Sequence, residues 1–539
     1  MSAPRLARAA ATASVVALAL LSPAYGQHYQ TKTPYQPQLS SASLEPVPQG
    51  YRPIHTQLVA RHGSRGLTGM KADLALYNLV LLAKQQHALT PLGAALEAAI
   101  YQMMEANALL GYGVAGIRKP GYGNETMQGI REHQQLAQRL YQRMAPLFQL
   151  SASGSASAPR QILLLTSGKD RAVDSGEYFA QALIAMQPSM QAQLVRPASL
   201  APRSSGSGSG SGGNAIGASS RAASPDRGDH AAGTDRYLLY FHKLNPKTDL
   251  VSDSSDPLYA GYQASLAYQA WLRSEALNQR LAALETQPEL AQAAHAVLAR
   301  LFKPAFLRAF AAGQHAAANV GIMQFASKDG QFISRLTGDG DTALHTPVDA
   351  ALALYELYAA AADMQAELTT DFQRFMPPAQ AAVFAAHEDA VNFYSKGPGL
   401  LENGAINYAM AQPLLDDFFA ELQAVAAGDL RHAAKLRFSH AEIIIPMAAL
   451  LGLQNMSEQL ASTTPYSYKT SAWRGEQVAP MAANIQWDAY QNDQGQIAVR
   501  MLYNERPVDF RKDCAYAKLT ATSQFYEFSR LRRCYQRPQ

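Results

Sequence analysis

The sequence predicts an α/β protein in which a core with a central sheet flanked by helices is interrupted by an inserted, mainly helical domain. Three observations predict it. Strand-like apolar runs alternate with helical patterns at both ends of the chain. From about Leu258 to Val425 the chain is Ala/Leu/Gln-rich with helical periodicity and no convincing strand. A hairpin signal, Asn492-Asp493-Gln494-Gly495, separates Asn484–Tyr490 from Gln496–Tyr503 near the C-terminus. The 539 residues are 48% hydrophobic, enough for a large core, and only 16% charged, against ~25% in an average domain. That balance excludes a disordered, highly solvated chain. A net charge of +4 is too small for a nucleic-acid protein held by bulk charge.

In chain order, residues 1–26 read as a cleavable signal peptide. Arg5 and Arg8 precede the apolar stretch Ala9–Leu21, and Ala24-Tyr25-Gly26 offers small residues for cleavage before Gln27. The stretch is short for a span, which needs about 18 apolar residues, so an exported, periplasmic or secreted protein without a stable membrane anchor is expected. A signal anchor is the alternative. Residues 27–50, rich in Gln, Pro and Ser, read as an extended arm. Strands are expected at Gln57–Ala60, Ile162–Leu165, Tyr237–Phe241 and Leu436–Phe438. Helices are expected around Leu74, Tyr77, Leu81 and Leu82, and over Ala172–Met186.

Residues 51–200 and 430–539 form the expected core, and 236–429 the helical domain. Between them, 201–235 contains the all-Ser/Gly run Ser204–Gly213 and reads as a flexible insert. The tripeptide Arg227-Gly228-Asp229 inside it reads as a chance match. The two cysteines, Cys514 and Cys534, exclude a disulfide scaffold or a Cys-rich zinc module; they form either one bridge or two buried thiols.

Three segments carry chemistry. Arg61-His62-Gly63-Ser64-Arg65 directly follows a strand, where open α/β sheets place ligands. Arginines there neutralise phosphate oxygens through forked hydrogen bonds, and the imidazole is a candidate nucleophile. A second strand ends in Gly168-Lys169-Asp170-Arg171, bringing another guanidinium to a strand edge; a salt bridge to Asp170 or Asp174 is its alternative role. In the third, Ser439-His440-Ala441-Glu442, a strand hands over to a helix. A carboxylic acid beside a phosphate-bound histidine can protonate a leaving oxygen and then deprotonate water. That role leads us to expect partial burial that keeps Glu442 able to hold a proton. A helix-capping glutamate is the alternative.

Together these segments resemble the histidine acid phosphatase superfamily, with its Arg-His-Gly-x-Arg signature, distant arginine and late histidine. His440-Ala441-Glu442, where other members carry His-Asp, is similar to multiple inositol polyphosphate phosphatase. Tyr394-Ser395-Lys396-Gly397-Pro398-Gly399, Met410-Ala411-Gln412-Pro413-Leu414-Leu415-Asp416-Asp417 and Leu502-Tyr503-Asn504-Glu505 are also similar to bacterial members. One departure is Gly66-Leu67 after Arg65, where the family usually continues with proline. The resemblance implies a histidine-phosphatase-like core and a two-step reaction through a phosphohistidine on His62. Glu442 would be the proton donor, and Arg61, Arg65, Arg171 and His440 would hold the phosphoryl oxygens.

Further cations are expected to bind a polyanionic substrate: Lys169 and Lys396, then His242 and Lys243. Each has an ordinary exposed base as its alternative. No metal or other cofactor is expected, because no metal-ligand spacing such as His-Glu-x-x-His appears. The leading expectation is an exported, monomeric phosphatase acting on inositol polyphosphates such as phytate, with no nucleic-acid partner. A broad-specificity acid phosphomonoesterase and a non-catalytic polyanion-binding relative are the alternatives.

Overall fold

Strand β1 (Arg52–Arg61) sends Leu58 and Ala60 into one apolar cluster and Val59 into another. A strand buried between two helical layers must do this, because successive side chains point to opposite faces. In the computed structural model, which describes residues 28–38, 44–117, 119–152, 160–197 and 235–536, β1 lies inside an eight-stranded sheet. The expected leader, the Ser/Gly run and Arg227-Gly228-Asp229 lie outside the described residues. No described helix is long and apolar enough to cross a membrane.

The other strands, in chain order, are β2 (Gln161–Thr166), β3 (Leu194–Val195), the separate hairpin β4 (Ala317–Ala326) and β5 (Ile333–Leu344), then β6 (His432–Ser439), β7 (Asn484–Gln491), β8 (Ile497–Tyr503), β9 (Arg506–Val508) and β10 (Tyr526–Glu527). The main sheet runs β10-β8-β7-β1-β6-β2-β3, with β9 paired to β8. Strands β1, β6, β2 and β3 are parallel, whereas β7, β8 and β10 continue the sheet antiparallel. In register, Arg61 sits beside Ser439 and Thr166 beside Phe438. Three adjacent parallel strands therefore end at one edge, although their sequences lie far apart.

The helices are α1 (Ala72–Gln85), α2 (Pro91–Ala108), α3 (Met127–Ala152), α4 (Asp170–Met186), α5 (Tyr259–Trp271), α6 (Glu275–Glu285), α7 (Pro288–Leu298), α8 (Pro304–Ala311), α9 (Pro347–Asp363), α10 (Pro378–Ser395), α11 (Gln412–Ala426), α12 (Ala441–Leu450) and α13 (Phe528–Tyr535), besides the four-residue turn Gly475–Val478. On one face of the sheet, Leu136 and Leu140 of α3 and Phe179 and Leu183 of α4 pack on Leu164, Leu436 and Phe438. On the other, Phe418 and Leu422 of α11 and Ile443 to Ile445 of α12 pack on Val59 and Trp487. Helices α1 and α2 instead share an apolar cluster with α7 to α10 and the β4–β5 hairpin, so the helical layer draws on both parts of the chain.

Two expectations are corrected. Tyr237–Phe241 is not a strand: residues 235–239 are helical and Phe241–Lys243 is a 3-10 turn. Tyr237, Leu238, Leu239 and Phe241 are all buried, and a short run buried all round carries no periodicity to separate strand from helix. The stretch Leu258–Val425 is not free of strands, because β4 and β5 pair antiparallel within it. Their Ala- and Gly-rich sequences carry little of the β-branched signal on which strand recognition relies.

The arm also differs from a simple extended segment. Gln30–Lys32 forms a 3-10 turn, and Tyr29 and Tyr35 are buried against the body of the protein. Cys514 and Cys534 form a disulfide. At the other hairpin, Gly495 takes φ +80 in the turn between β7 and β8.

Candidate active site

The edge where β1, β6 and β2 end gathers the three motif segments. The peptide N–H of His62 donates to the carbonyl of Ser439, at the end of the neighbouring strand, at 2.8 Å. The His62 and His440 rings lie edge to face with centroids 5.5 Å apart. His62 Nδ1 is 2.9 Å from the carbonyl of Gly63. A carbonyl can only accept, so Nδ1 carries the proton and Nε2 keeps its lone pair. Burial, reinforced by the charges of Arg171, Arg61 and Arg65, holds His62 well below the usual histidine range. This environment favours the neutral imidazole, the form that a nucleophile requires.

The loop after His62 is held by buried carboxylates. Gly63 N–H donates to Glu125 Oε1 at 2.8 Å and Ser64 N–H to Glu132 Oε2 at 2.7 Å. Ser64 Oγ lies 2.8 Å from Glu132 and 2.9 Å from Asp363 at the end of α9. A Cβ on Gly63 would fall 2.6 Å from Gly129 Cα in α3, so only glycine permits this approach. Burial raises Glu125 to about 8 and Asp363 well above the carboxylate range.

The guanidinium groups are deeply set. Arg61 Nη1 donates to the carbonyls of Thr31 and Ala479, and Arg65 Nη1 to that of Gly66. The Nε atoms of Arg61, Arg65 and Arg171 are buried and lack a hydrogen-bond partner, an arrangement that suits an incoming anion. Burial, with the charge of Arg65 adding to it, lowers Arg61 and Arg171 to about 10. All remain cationic at any working pH.

His440 occupies the N-cap position of α12 with its side chain turned to other use, Nε2 lying 2.8 Å from Ser167 Oγ at the end of β2. Burial and the charge of Arg171 hold it well below the usual histidine range. Glu442 occupies the first turn of α12, half-buried, with Oε1 3.0 Å from Lys396 Nζ. Here the expectation that burial keeps the carboxyl able to hold its proton is corrected. Burial does push Glu442 up, but the Lys396 ammonium, then His242 and His440, outweigh it and hold the carboxyl well below its ordinary range.

The structure thus brings together His62, Arg61, Arg65, Arg171, His440, Glu442 and Lys396. His242 joins them, buried, with its ring 6.3 Å from that of His440. Lys169 stands at the rim, its ammonium 5.4 Å from the centre of the Tyr240 ring. Lys243 is exposed, and its charge acts on His242.

Ser167, Tyr240, Glu125, Glu132 and Asp363 were not expected from sequence. Ser167 was findable, since it ends the same strand as Lys169 and Arg171 approach. Asp363 was not, because nothing local couples it to Ser64, 299 positions away.

A family model described as histidine phosphatase superfamily (branch 2) matches residues 286–504, a stretch that includes His440 and Glu442 but not His62 or Arg171. Among solved structures, the multiple inositol polyphosphate phosphatase of Bifidobacterium longum in complex with inositol hexasulfate is 30% identical, with a TM-score of 0.76 over 95% of this chain and 97% of that one. Its complex with phosphate gives 29% identity and a TM-score of 0.78, over 95% and 98% of the two chains. A phytase from D. castellii, 12% identical, shares the fold with a TM-score of 0.54 over 96% and 87%. No curated protein matches the chain. With 95% of its length aligned to relatives 30% identical to it, this chain belongs to the histidine phosphatase superfamily, branch 2, and is a histidine-type phosphatase.

Proposed function

We propose that this protein is an exported, monomeric phosphatase that hydrolyses inositol polyphosphates such as phytate through a phosphohistidine intermediate. One observation carries the reading: a neutral imidazole with a free Nε2 lies among three guanidinium groups whose Nε atoms have no partner. His62 Nε2 attacks phosphorus, the ester P–O bond breaks, and Glu442 delivers a proton to the departing inositol oxygen. Water then attacks the phosphohistidine with Glu442 taking its proton, the N–P bond breaks, and inorganic phosphate leaves. Arg61, Arg65, Arg171 and His440 hold the phosphoryl oxygens, where pre-aimed charge is usually the largest catalytic term.

The substrate class is supported by the inositol hexasulfate bound by the B. longum relative and by Lys396, Lys169 and His242 around the catalytic group. Export is supported by the sequence of residues 1–26 and by the Cys514–Cys534 disulfide, a bond that persists in oxidising compartments. Phosphate release from phytate, glycerol 2-phosphate and 4-nitrophenyl phosphate tests the reading. A clear preference in kcat/KM for phytate is expected. Equal values would make the protein a broad monoesterase, and no turnover of any ester would make it a binding protein.

A further inference from the structure

The donor position poses a chemical problem. A group that protonates a leaving oxygen must itself carry a proton, yet Glu442 is paired with a cation. Lys396 directly follows α10, in a turn that Asn407 fixes by donating from Nδ2 to the carbonyls of Tyr394 and Gly397, each at 3.0 Å. Its Nζ meets Glu442 Oε1 at 3.0 Å. The pair is not sealed away, since the two side chains remain 27% and 33% exposed.

The other groups facing Glu442 are His242 from the turn after residue 240, His440 at its own helix cap, Arg61 and Arg65 from the β1 loop, Arg171 from α4 and Tyr268 from α5. Arg61 and Arg65 are tied to backbone carbonyls, and burial holds His242 and His440 below the usual histidine range. Among these groups, Lys396 is a flexible cation already hydrogen-bonded to the carboxylate and open to solvent.

We propose that Lys396 is shared between Glu442 and the substrate: a second phosphate, next to the one under attack, takes over the ammonium, and Glu442 then binds the proton that it gives to the leaving oxygen. In this exchange one N–H···O bond to the carboxylate breaks, one to a phosphate oxygen forms, and Glu442 takes its proton from solvent. A phosphate competes well for the ammonium, because it presents more charge and more acceptor oxygens than a carboxylate. The proton donor is therefore loaded by polyphosphorylated substrates and not by simple monoesters. The inference rests on the inositol polyphosphate reading and adds to it a means of selecting the substrate.

The test compares the alkaline limbs of the pH profiles of kcat, which report groups in the enzyme–substrate complex. Phytate and glycerol 2-phosphate are the probes, for the wild type, Lys396→Met and Lys396→Arg. An opposite charge at this distance lowers a carboxyl by on the order of 1 to 3 units. In the wild type the phytate limb is expected to lie above the glycerol 2-phosphate limb by a shift within that range. Lys396→Met should raise the glycerol 2-phosphate limb to meet it, and Lys396→Arg should restore a separation.

Coincident limbs in the wild type, with both esters hydrolysed, would overturn the role of Lys396 and leave the substrate reading standing. A separation that survives in Lys396→Met would do the same, by assigning the shift to the phosphate's own charge. Hydrolysis of glycerol 2-phosphate without any of phytate would overturn the substrate reading, and this inference with it.

Discussion

Replacing Glu442 with glutamine separates chemistry from folding. The amide keeps the shape of the side chain and an oxygen to accept from Lys396, but it can neither give nor take a proton. The ion pair that is lost joins two partly exposed side chains, where solvent screens the attraction, so thermal stability should fall only modestly. Proton transfer by a positioned group contributes roughly 10²–10⁴-fold, or about 3–5 kcal/mol of barrier, so phytate turnover should fall by that factor. The loss should depend on the leaving group. Nitrophenolate departs without a proton, so Glu442→Gln should keep a fast initial burst of nitrophenolate from 4-nitrophenyl phosphate. It should then turn over slowly, because the second step has lost its base. Stopped-flow absorbance reads the burst, phosphate release reads the steady state, and a melting curve reads the fold. Equal losses in the phytate rate and in the nitrophenolate burst would refute the donor role, and a collapse of the melting temperature would refute the claim that the pair is energetically minor.

Two further predictions concern stability. Glu125 has its folded value raised to about 8 from an ordinary 4.5, so between these values the native state holds a proton that the unfolded chain has released, and stability falls as pH rises through that window. Glu125→Gln should flatten this decline in melts recorded from about pH 5 to about pH 8, and an unchanged slope would reject the assignment. Replacing both Cys514 and Cys534 by serine opens a loop with a sequence separation of 20, which should cost about 3 kcal/mol in chemical denaturation. No measurable loss would show that the bridge does not constrain the unfolded chain.

The parts of the site that read clearly in sequence are those in which chemistry restricts residue type and the strand edge restricts position. Arg61 ends β1 and His62 and Arg65 follow it, Arg171 follows β2, and His440 and Glu442 follow β6; the parallel pairing of these strands brings them together. Contacts between distant segments were not legible. Ser64 meets Asp363 across 299 positions, and Arg61 meets the carbonyl of Thr31 from the arm, with no local signal for either. The acidity of Glu442 illustrates the same limit. Burial alone argued for a raised value, but Lys396, delivered by the end of α10, reverses the sign. In the fold, Tyr237–Phe241 was misread because a fully buried short run is ambiguous, and the β4–β5 hairpin was missed because its strands are built largely from weak strand formers.

The central claim is that His62 forms a bond to phosphorus. Rapid acid-free quenching of the enzyme during turnover of radiolabelled phytate, followed by peptide mapping under alkaline conditions, reads it directly. The account predicts stoichiometric label on the peptide containing His62, stable to base and lost in acid, and none in His62→Ala. Label on another residue, or steady turnover by His62→Ala at the wild-type rate, would contradict it.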